Sequence, residues 1–101
     1  MVHFSYKPLP DYLEIRKSKV DGLGLFAIKS IPAGLNLGRT HFYFKNAWER
    51  TPLGGFINHS DNPNSVITTF INSVERELWT ARPIKKGEEI TIYYTLDQED
   101  S

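Results

Sequence analysis

Side chains able to do chemistry crowd into one stretch, Phe56-Ile57-Asn58-His59-Ser60-Asp61-Asn62-Pro63-Asn64, directly after the glycine pair Gly54-Gly55. Amides, an imidazole, a hydroxyl and a carboxylate at this density make either an Asx-rich turn or a site. A metal centre is disfavoured, because His3, His41 and His59 are far apart in the chain, no Asp or Glu joins them at ligand spacing, and there is no cysteine. Covalent catalysis is disfavoured as well, since neighbouring residues such as His59 and Ser60 do not place a hydroxyl on an imidazole nitrogen. Taken alone, His59 reads as a hydrogen-bonded structural histidine. Asn58-His59-Ser60 is formally a glycosylation sequon, but Met1 to Pro8 holds no apolar run of signal-peptide length.

Two other stretches carry potential chemistry. Gly22-Leu23-Gly24 followed by Ala27 matches a GxGxxA phosphate fingerprint, which needs a helix behind it. Only Leu25 to Ser30 separate it from Ile31-Pro32-Ala33-Gly34, too few residues for that helix. The glycines then make a tight turn between strands or let a ligand approach the backbone. Tyr93-Tyr94, inside a β-rich run, sends one ring to each face of a strand, so one can enter the core while the other faces a cleft. Phe42, Tyr43, Phe44, Trp48 and Trp79 add aromatic surface, which suits either core packing or a pocket for a cationic group.

Strands must position these residues. Short β-rich or alternating runs separated by Gly, Pro and Asn predict strands at 13–16, 25–28, 35–37, 65–72, 77–82 and 89–95. Asn72 to Arg76 is placed to turn a hairpin between two of them. Helical periodicity is confined to short turns, at Asn46 to Arg50 or Pro52 to Ile57. Residues 25–37 are echoed 53 positions later by 78–90, both reading strand, basic residue, Ile-x-x-Gly, strand. In each copy the Ile anchors a turn to the core and the Gly takes the positive φ that reverses the chain. The pattern predicts two equivalent corners in one compact β unit, with Thr40 to Asn64 between them as the place for a site.

At 101 residues, with 40% hydrophobic, 24% charged and 13% aromatic content, the chain is one globular domain rather than a disordered or fibrous sequence. Zero cysteines exclude a disulfide framework and thiolate metal sites. No window nears the ~20 apolar residues of a membrane span, so a soluble, cytoplasmic protein without a membrane partner is expected. Twelve basic residues balance twelve acidic ones, which argues against nucleic acid as the main partner. An aromatic nucleic-acid-binding barrel would need a basic groove. Three acidic residues, Asp97, Glu99 and Asp100, make the last five positions a solvated acidic tail.

Taken in order, Asp21-Gly22-Leu23-Gly24-Leu25-Phe26-Ala27, then Gly55-Phe56-Ile57-Asn58-His59-Ser60 through Pro63-Asn64, then Ile84-Lys85-Lys86-Gly87-Glu88-Glu89-Ile90-Thr91-Ile92-Tyr93-Tyr94, resemble the signature of SET-domain protein-lysine methyltransferases, in particular the minimal bacterial and viral kind. The resemblance covers a core of about residues 12–95 of a single domain spanning 1–101. It implies a mostly-β, β-clip-like fold of small sheets, with the Asn58–Asn64 segment and the C-terminal strand threaded as a pseudoknot. It implies S-adenosylmethionine as methyl donor, approached by backbone around Gly22, Leu23 and Gly24 and held by Asn58 and His59, with Tyr94 as the catalytic tyrosine. It implies a protein substrate presenting a lysine, and no metal. Thr40, His41, Tyr43, Ile92 and Tyr93 would line the lysine channel, and Thr40 to Pro52 would form the wall that reads residues around the target.

The chain also departs from the family pattern. Asp61 and Ser65 stand where relatives commonly carry cysteines, and with seven residues after Tyr94 in this sequence no zinc-binding post-SET segment is expected. The channel would then be closed by the Leu96–Ser101 tail, by the second copy in a homodimer, or by the substrate. Thr40 falls where many relatives have a tyrosine, and Ile92 where an aromatic limits methylation, which implies a roomier site and more than one methyl transferred. The same departures support an alternative, a catalytically idle SET-like module that binds S-adenosylmethionine or peptide.

Overall fold

The computed structural model describes residues 9–69 and 73–94. Leu13–Lys17 (β1) and Leu23–Ala27 (β2) form an antiparallel pair in which Leu13 faces Ala27 and Ile15 faces Leu25. Asn36–Phe44 (β3), Ala47–Arg50 (β4), Ser65–Thr69 (β6) and Glu75–Thr80 (β7) build an antiparallel sheet in the order β4-β3-β7-β6. Asn58–His59 (β5) and Thr91–Ile92 (β8) make a third, two-stranded sheet, and this one is parallel. Helix is limited to one 3₁₀ turn, Gly54–Phe56, within the expected Pro52–Ile57 segment. No helix among the described residues is long and apolar enough to cross a membrane.

The mostly-β expectation holds, with local differences. Asn46 to Arg50, expected as a turn of helix, is strand. Lys45 and Asn46 have φ of 50° and 66°, and Phe44 pairs with Ala47, so the two residues form a primed turn that reverses β3 into β4. The short run 35–37 opens into the nine-residue β3, whose pairing with β7 is interrupted by irregularities at Asn36/Gly38 and Arg39/His41. The run 89–95 keeps only Thr91–Ile92 as strand, after an isolated bridge between Phe26 and Glu89. β6 and β7 pair as the expected hairpin, but Glu75 and Arg76, expected in its turn, belong to β7, and Arg76 lies opposite Thr69. Asn72 of the expected turn, residues 70–71 of the expected strand, Thr95, the acidic tail at 96–101 and His3 lie outside the described residues.

The sequence echo is a local two-fold. Ile31 N donates to Ile84 O and Ile84 N to Ile31 O, both at 2.8 Å. Gly34 N reaches Thr80 O at 2.8 Å, and the counterpart 53 positions later, Gly87 N to Ala27 O, measures 2.7 Å. Gly34 and Gly87 have φ of 76° and 92°, which the turns require and side chains resist. Ile31 and Ile84 are both buried in the single core cluster with Leu25, Leu78, Ile90 and Ile92. Each corner therefore closes on the strand end of the other, and burying both isoleucines stabilises the pair together.

Candidate functional site

Parallel pairing of β5 with β8 brings the Asn58–Asn64 segment onto the C-terminal strand. Asn58 lies opposite Thr91 and His59 opposite Ile92, and Ser60 N donates to Ile92 O at 2.9 Å. Two strands this short need side chains to hold them, and Asn64 supplies them. Its buried amide donates to Glu89 O at 2.8 Å and accepts from Thr91 N at 3.0 Å, while its own carbonyl accepts from Ala81 N.

Asn58 faces the other way, toward the Gly-Leu-Gly turn. Its Nδ2 is surrounded by three acceptors: Glu89 Oε2 at 2.8 Å, Asp21 O at 3.1 Å and Leu23 O at 3.2 Å. Gly22 has φ of 44°, and a Cβ on Gly24 would lie 2.2 Å from Glu89 Oε2. Glycine at position 24 thus lets backbone and carboxylate meet. Ser18 completes the turn: its hydroxyl hydrogen-bonds both carboxylate oxygens of Glu89, at 2.8 and 2.9 Å, and accepts from Val20 N at 2.9 Å.

Tyr94 attaches to the same place from the opposite end. Its hydroxyl donates to Ile57 O at 2.6 Å, its backbone N–H donates to His59 Nδ1 at 2.9 Å, and its ring packs on the core. His59 Nδ1 is an acceptor and so carries no proton; the proton sits on Nε2, 3.0 Å from Asp61 Oδ1. His59 is therefore a hydrogen-bonded strut, with the Tyr93 and Tyr94 rings 4.8 and 6.3 Å from its own. Of the tyrosine pair, Tyr93 is exposed and Tyr94 half-buried. Ile57 and Asn58 are consecutive, so the Tyr94 hydroxyl and the Gly22–Gly24 turn hang from adjacent residues, whose Cα atoms are about 3.8 Å apart across one peptide.

Three of the remaining candidates, Thr40, His41 and Tyr43, lie together on β3, whereas Ile92 is on β8 opposite His59. Thr40 sits at the second irregularity of the sheet and is fully buried; its hydroxyl lies 2.8 Å from His41 Nδ1. Its carbonyl accepts from Thr51 N at 2.9 Å and would meet a Cβ on Gly54 at 2.2 Å, which ties Thr40 to the 3₁₀ turn that leads into Ile57. His41 is buried, and its pKa is lowered to about 4 by desolvation, then by the Arg76 and Arg50 charges. It is neutral near pH 7. Tyr43 is exposed and packs edge-on against Trp48, with ring centroids 5.4 Å apart. Ile92 lies within the core cluster, 1% exposed. Thus Gly22, Leu23, Gly24, Asn58, His59 and Tyr94 are brought together, Thr40 is linked to them through Thr51–Ile57, and Tyr43 stands out on the hairpin.

No group of three or more potential metal ligands occurs among the described residues. A groove of about 710 Å³, lined by Leu9, Leu37, Phe42, Thr51 and Leu53 among others, includes none of the Asn58, Gly24 or Tyr94 surfaces. Two residues that sequence reasoning passed over belong to the site, Ser18 and Glu89. The signal for Glu89 was its place beside Ile90 in the second corner, where a charged side chain is directed by a strand that pairs with Phe26.

Residues 35–95 match the family model for the SET domain. The chain belongs to the SET-domain family. The matched span begins after the Gly-Leu-Gly turn, and the hydrogen bonds of Asn58 and Glu89 join that turn to it. The curated relatives include histone-lysine N-methyltransferases described as H3 lysine-36 specific. That of Candida albicans is 37% identical over 68 residues, 57% of this chain and 8% of the relative. That of Eremothecium gossypii is 37% identical over 71 residues, 60% of this chain and 10% of the relative. The SET chain thus spans about a tenth of the length of these relatives. Among solved structures, a candidate histone methyltransferase of Plasmodium falciparum superposes with a TM-score of 0.68 at 23% identity, covering 86% of this chain and 96% of that one. The methyltransferase domain of human PR domain-containing protein 2 gives 0.67 at 21% identity, covering 86% and 79%. Both likenesses carry the fold.

Proposed function

We propose that this SET domain is an S-adenosylmethionine-dependent protein-lysine N-methyltransferase. The observation that supports it best is the junction at Ile57-Asn58, where a glycine turn able to admit a ligand to the backbone and a tyrosine hydroxyl meet at consecutive residues. Transfer of a methyl group between two bound molecules demands alignment above all, and a shared anchor provides it. The names of the fungal relatives point to lysine as the acceptor class.

The residues fit the cofactor. Asn58 Oδ1, turned away from the three acceptors around Nδ2, is an acceptor for an ammonium, and the Glu89 carboxylate has no cationic partner among the described residues. When bound, S-adenosylmethionine supplies an electrophilic methyl group on a sulfonium. Gly22, Leu23 and Gly24 hold it along their backbone, and Asn58 and His59 hold its amino-acid and adenine portions. Tyr94 keeps its hydroxyl hydrogen on Ile57 O, so the hydroxyl presents oxygen lone pairs to its other side and orients the incoming amine.

A lysine has a reference pKa of ~10.4 and must shed a proton before it reacts. Enclosure beside a cation lowers that value by desolvation and like charge, so no general base is needed. His41, neutral and poorly basic, adds no charge to the channel. With Thr40 small and Ile92 buried in the core, the site takes more than one methyl per lysine, which mass spectrometry of exhaustively methylated product reads as di- or trimethyl-lysine. The activity itself is tested by transfer of labelled methyl from S-adenosylmethionine to lysine-bearing proteins, with histones as the first substrates. The expected result is label on lysine that falls at least about a hundredfold in Tyr94→Phe while cofactor binding persists. No label with any substrate despite cofactor binding overturns the activity, and undiminished label in Tyr94→Phe overturns the role of Tyr94.

A further inference from the structure

We propose that Glu89 is a positioning residue that selects the orientation of the Asn58 amide and thereby builds the acceptor for the α-ammonium of S-adenosylmethionine; this rests on the cofactor reading above. The Asn58 Nδ2 has two hydrogens and three acceptors, and two of these, Asp21 O and Leu23 O, belong to a turn that also has to admit the cofactor. The third and shortest contact, 2.8 Å, is to a carboxylate, a group that accepts and cannot donate. Were the amide flipped, Oδ1 would stand 2.8 Å from a carboxylate oxygen with no hydrogen between them, so Glu89 excludes the flipped form. Charge-assisted hydrogen bonds are about twice as strong as neutral ones, which makes Glu89 the dominant of the three.

The carboxylate is itself held. Ser18 Oγ bridges both of its oxygens, and Val20 N holds Ser18 Oγ in turn. Gly24 packs against it so closely that any side chain there would displace it. No cation of the chain is paired with it among the described residues, whereas Glu14, Glu75 and Glu88 each face an arginine. A half-buried carboxylate linked to an outward amide oxygen and lacking a countercharge is suited to a cationic ligand group.

The test is titration of S-adenosylmethionine, S-adenosylhomocysteine and 5′-methylthioadenosine into wild type and Glu89→Gln, with thermal unfolding of each ligand-free protein. The first two ligands carry the α-ammonium and the third lacks it. Glutamine keeps the shape but can donate as well as accept, so it no longer dictates the amide. Glu89→Gln is expected to weaken the two amino-acid-bearing ligands by about tenfold or more and to leave methylthioadenosine within about twofold. Asn58→Asp provides a second measurement: it should lose the same two ligands, and Glu89→Gln in that background should recover part of the loss by donating to the new carboxylate. Equal loss of all three ligands in Glu89→Gln, no loss of any, or no recovery in the double variant overturns the role of Glu89. Wild type that binds neither S-adenosylmethionine nor S-adenosylhomocysteine overturns the cofactor reading, and the proposal with it.

Discussion

The two corners related by the local two-fold share a backbone and differ in what their side chains do. Asn36, three residues before the bulge at Arg39/His41, caps Gly38 N and reaches Glu77, both at 2.8 Å, on an exposed sheet surface. Its counterpart Glu89 has the same place in the other corner, opposite Phe26 as Asn36 is opposite Trp79. Yet Glu89 points at Ser18, Gly24 and Asn58. The difference arises from what lies beyond each corner. After Asn36 the chain continues into the four-stranded sheet, whereas after Glu89 it pairs with β5 and meets the glycine turn. One scaffold thus serves twice, once for the sheet and once for the site.

Breaking what the corners share should have the largest effect on stability. Ile84→Ala and Ile31→Ala each remove a fully buried side chain and should cost about 2–5 kcal/mol by denaturant unfolding. The two isoleucines adjoin across their reciprocal backbone bonds and bury their side chains in one core cluster, so the double variant should depart from additivity by at least about 0.5 kcal/mol. Equal losses would confirm that the corners are energetically equivalent cores, and a loss confined to one would break the symmetry.

The sheet that leaves the first corner carries His41, and acid should expose it. Its pKa is about 4 when folded against an ordinary 6.5, so the unfolded chain takes up the proton first as pH falls. Its contribution is complete above about pH 6.5 and is lost between there and about pH 4, amounting to about 3 kcal/mol at the acid end. Stability measured across that range should fall more gently in His41→Gln than in wild type, with the difference between the two curves confined to that window. The second corner has no such buried histidine among its described residues.

A smaller effect separates the corners by function. Asn36→Ala should cost about 1 kcal/mol of stability, the worth of its surface hydrogen bonds, and leave binding of S-adenosylmethionine unchanged. Comparable loss of ligand affinity in Asn36→Ala would show that the corners are not divided in role. The smallest expected change lies on the hairpin beyond Asn36. Lys45→Gly removes the cost of a side chain at φ 50°, about 1 kcal/mol, against a glycine entropy penalty of about half that, so the thermal midpoint should rise slightly.

These contrasts also explain what could be read without a structure. The corners were legible because Ile-x-x-Gly states burial and reversal in adjacent letters. The glycine turn, Asn58, His59 and Tyr94 were legible together as a family pattern, although their junction at Ile57-Asn58 depends on long-range pairing. β4 was hidden because its turn uses Lys45-Asn46, without the Asn-Gly pair that marks a primed turn. Glu89 was hidden for a related reason. A Gly-Glu-Glu sequence after two lysines looks like solvated charge, and only the pairing of β8 with β5 turns one of the two glutamates inward. Thr40 likewise owes its burial to an irregularity in strand pairing, which periodicity cannot reveal.

The central claim is that the Gly22–Gly24 turn and Asn58 hold S-adenosylmethionine beside Tyr94. Isothermal titration of S-adenosylmethionine into wild type and Asn58→Ala tests it most directly. Saturable one-site binding, weakened at least about tenfold in Asn58→Ala with folding intact, is the result predicted. Absence of saturable binding by the folded wild-type protein, or binding indifferent to Asn58, would contradict it.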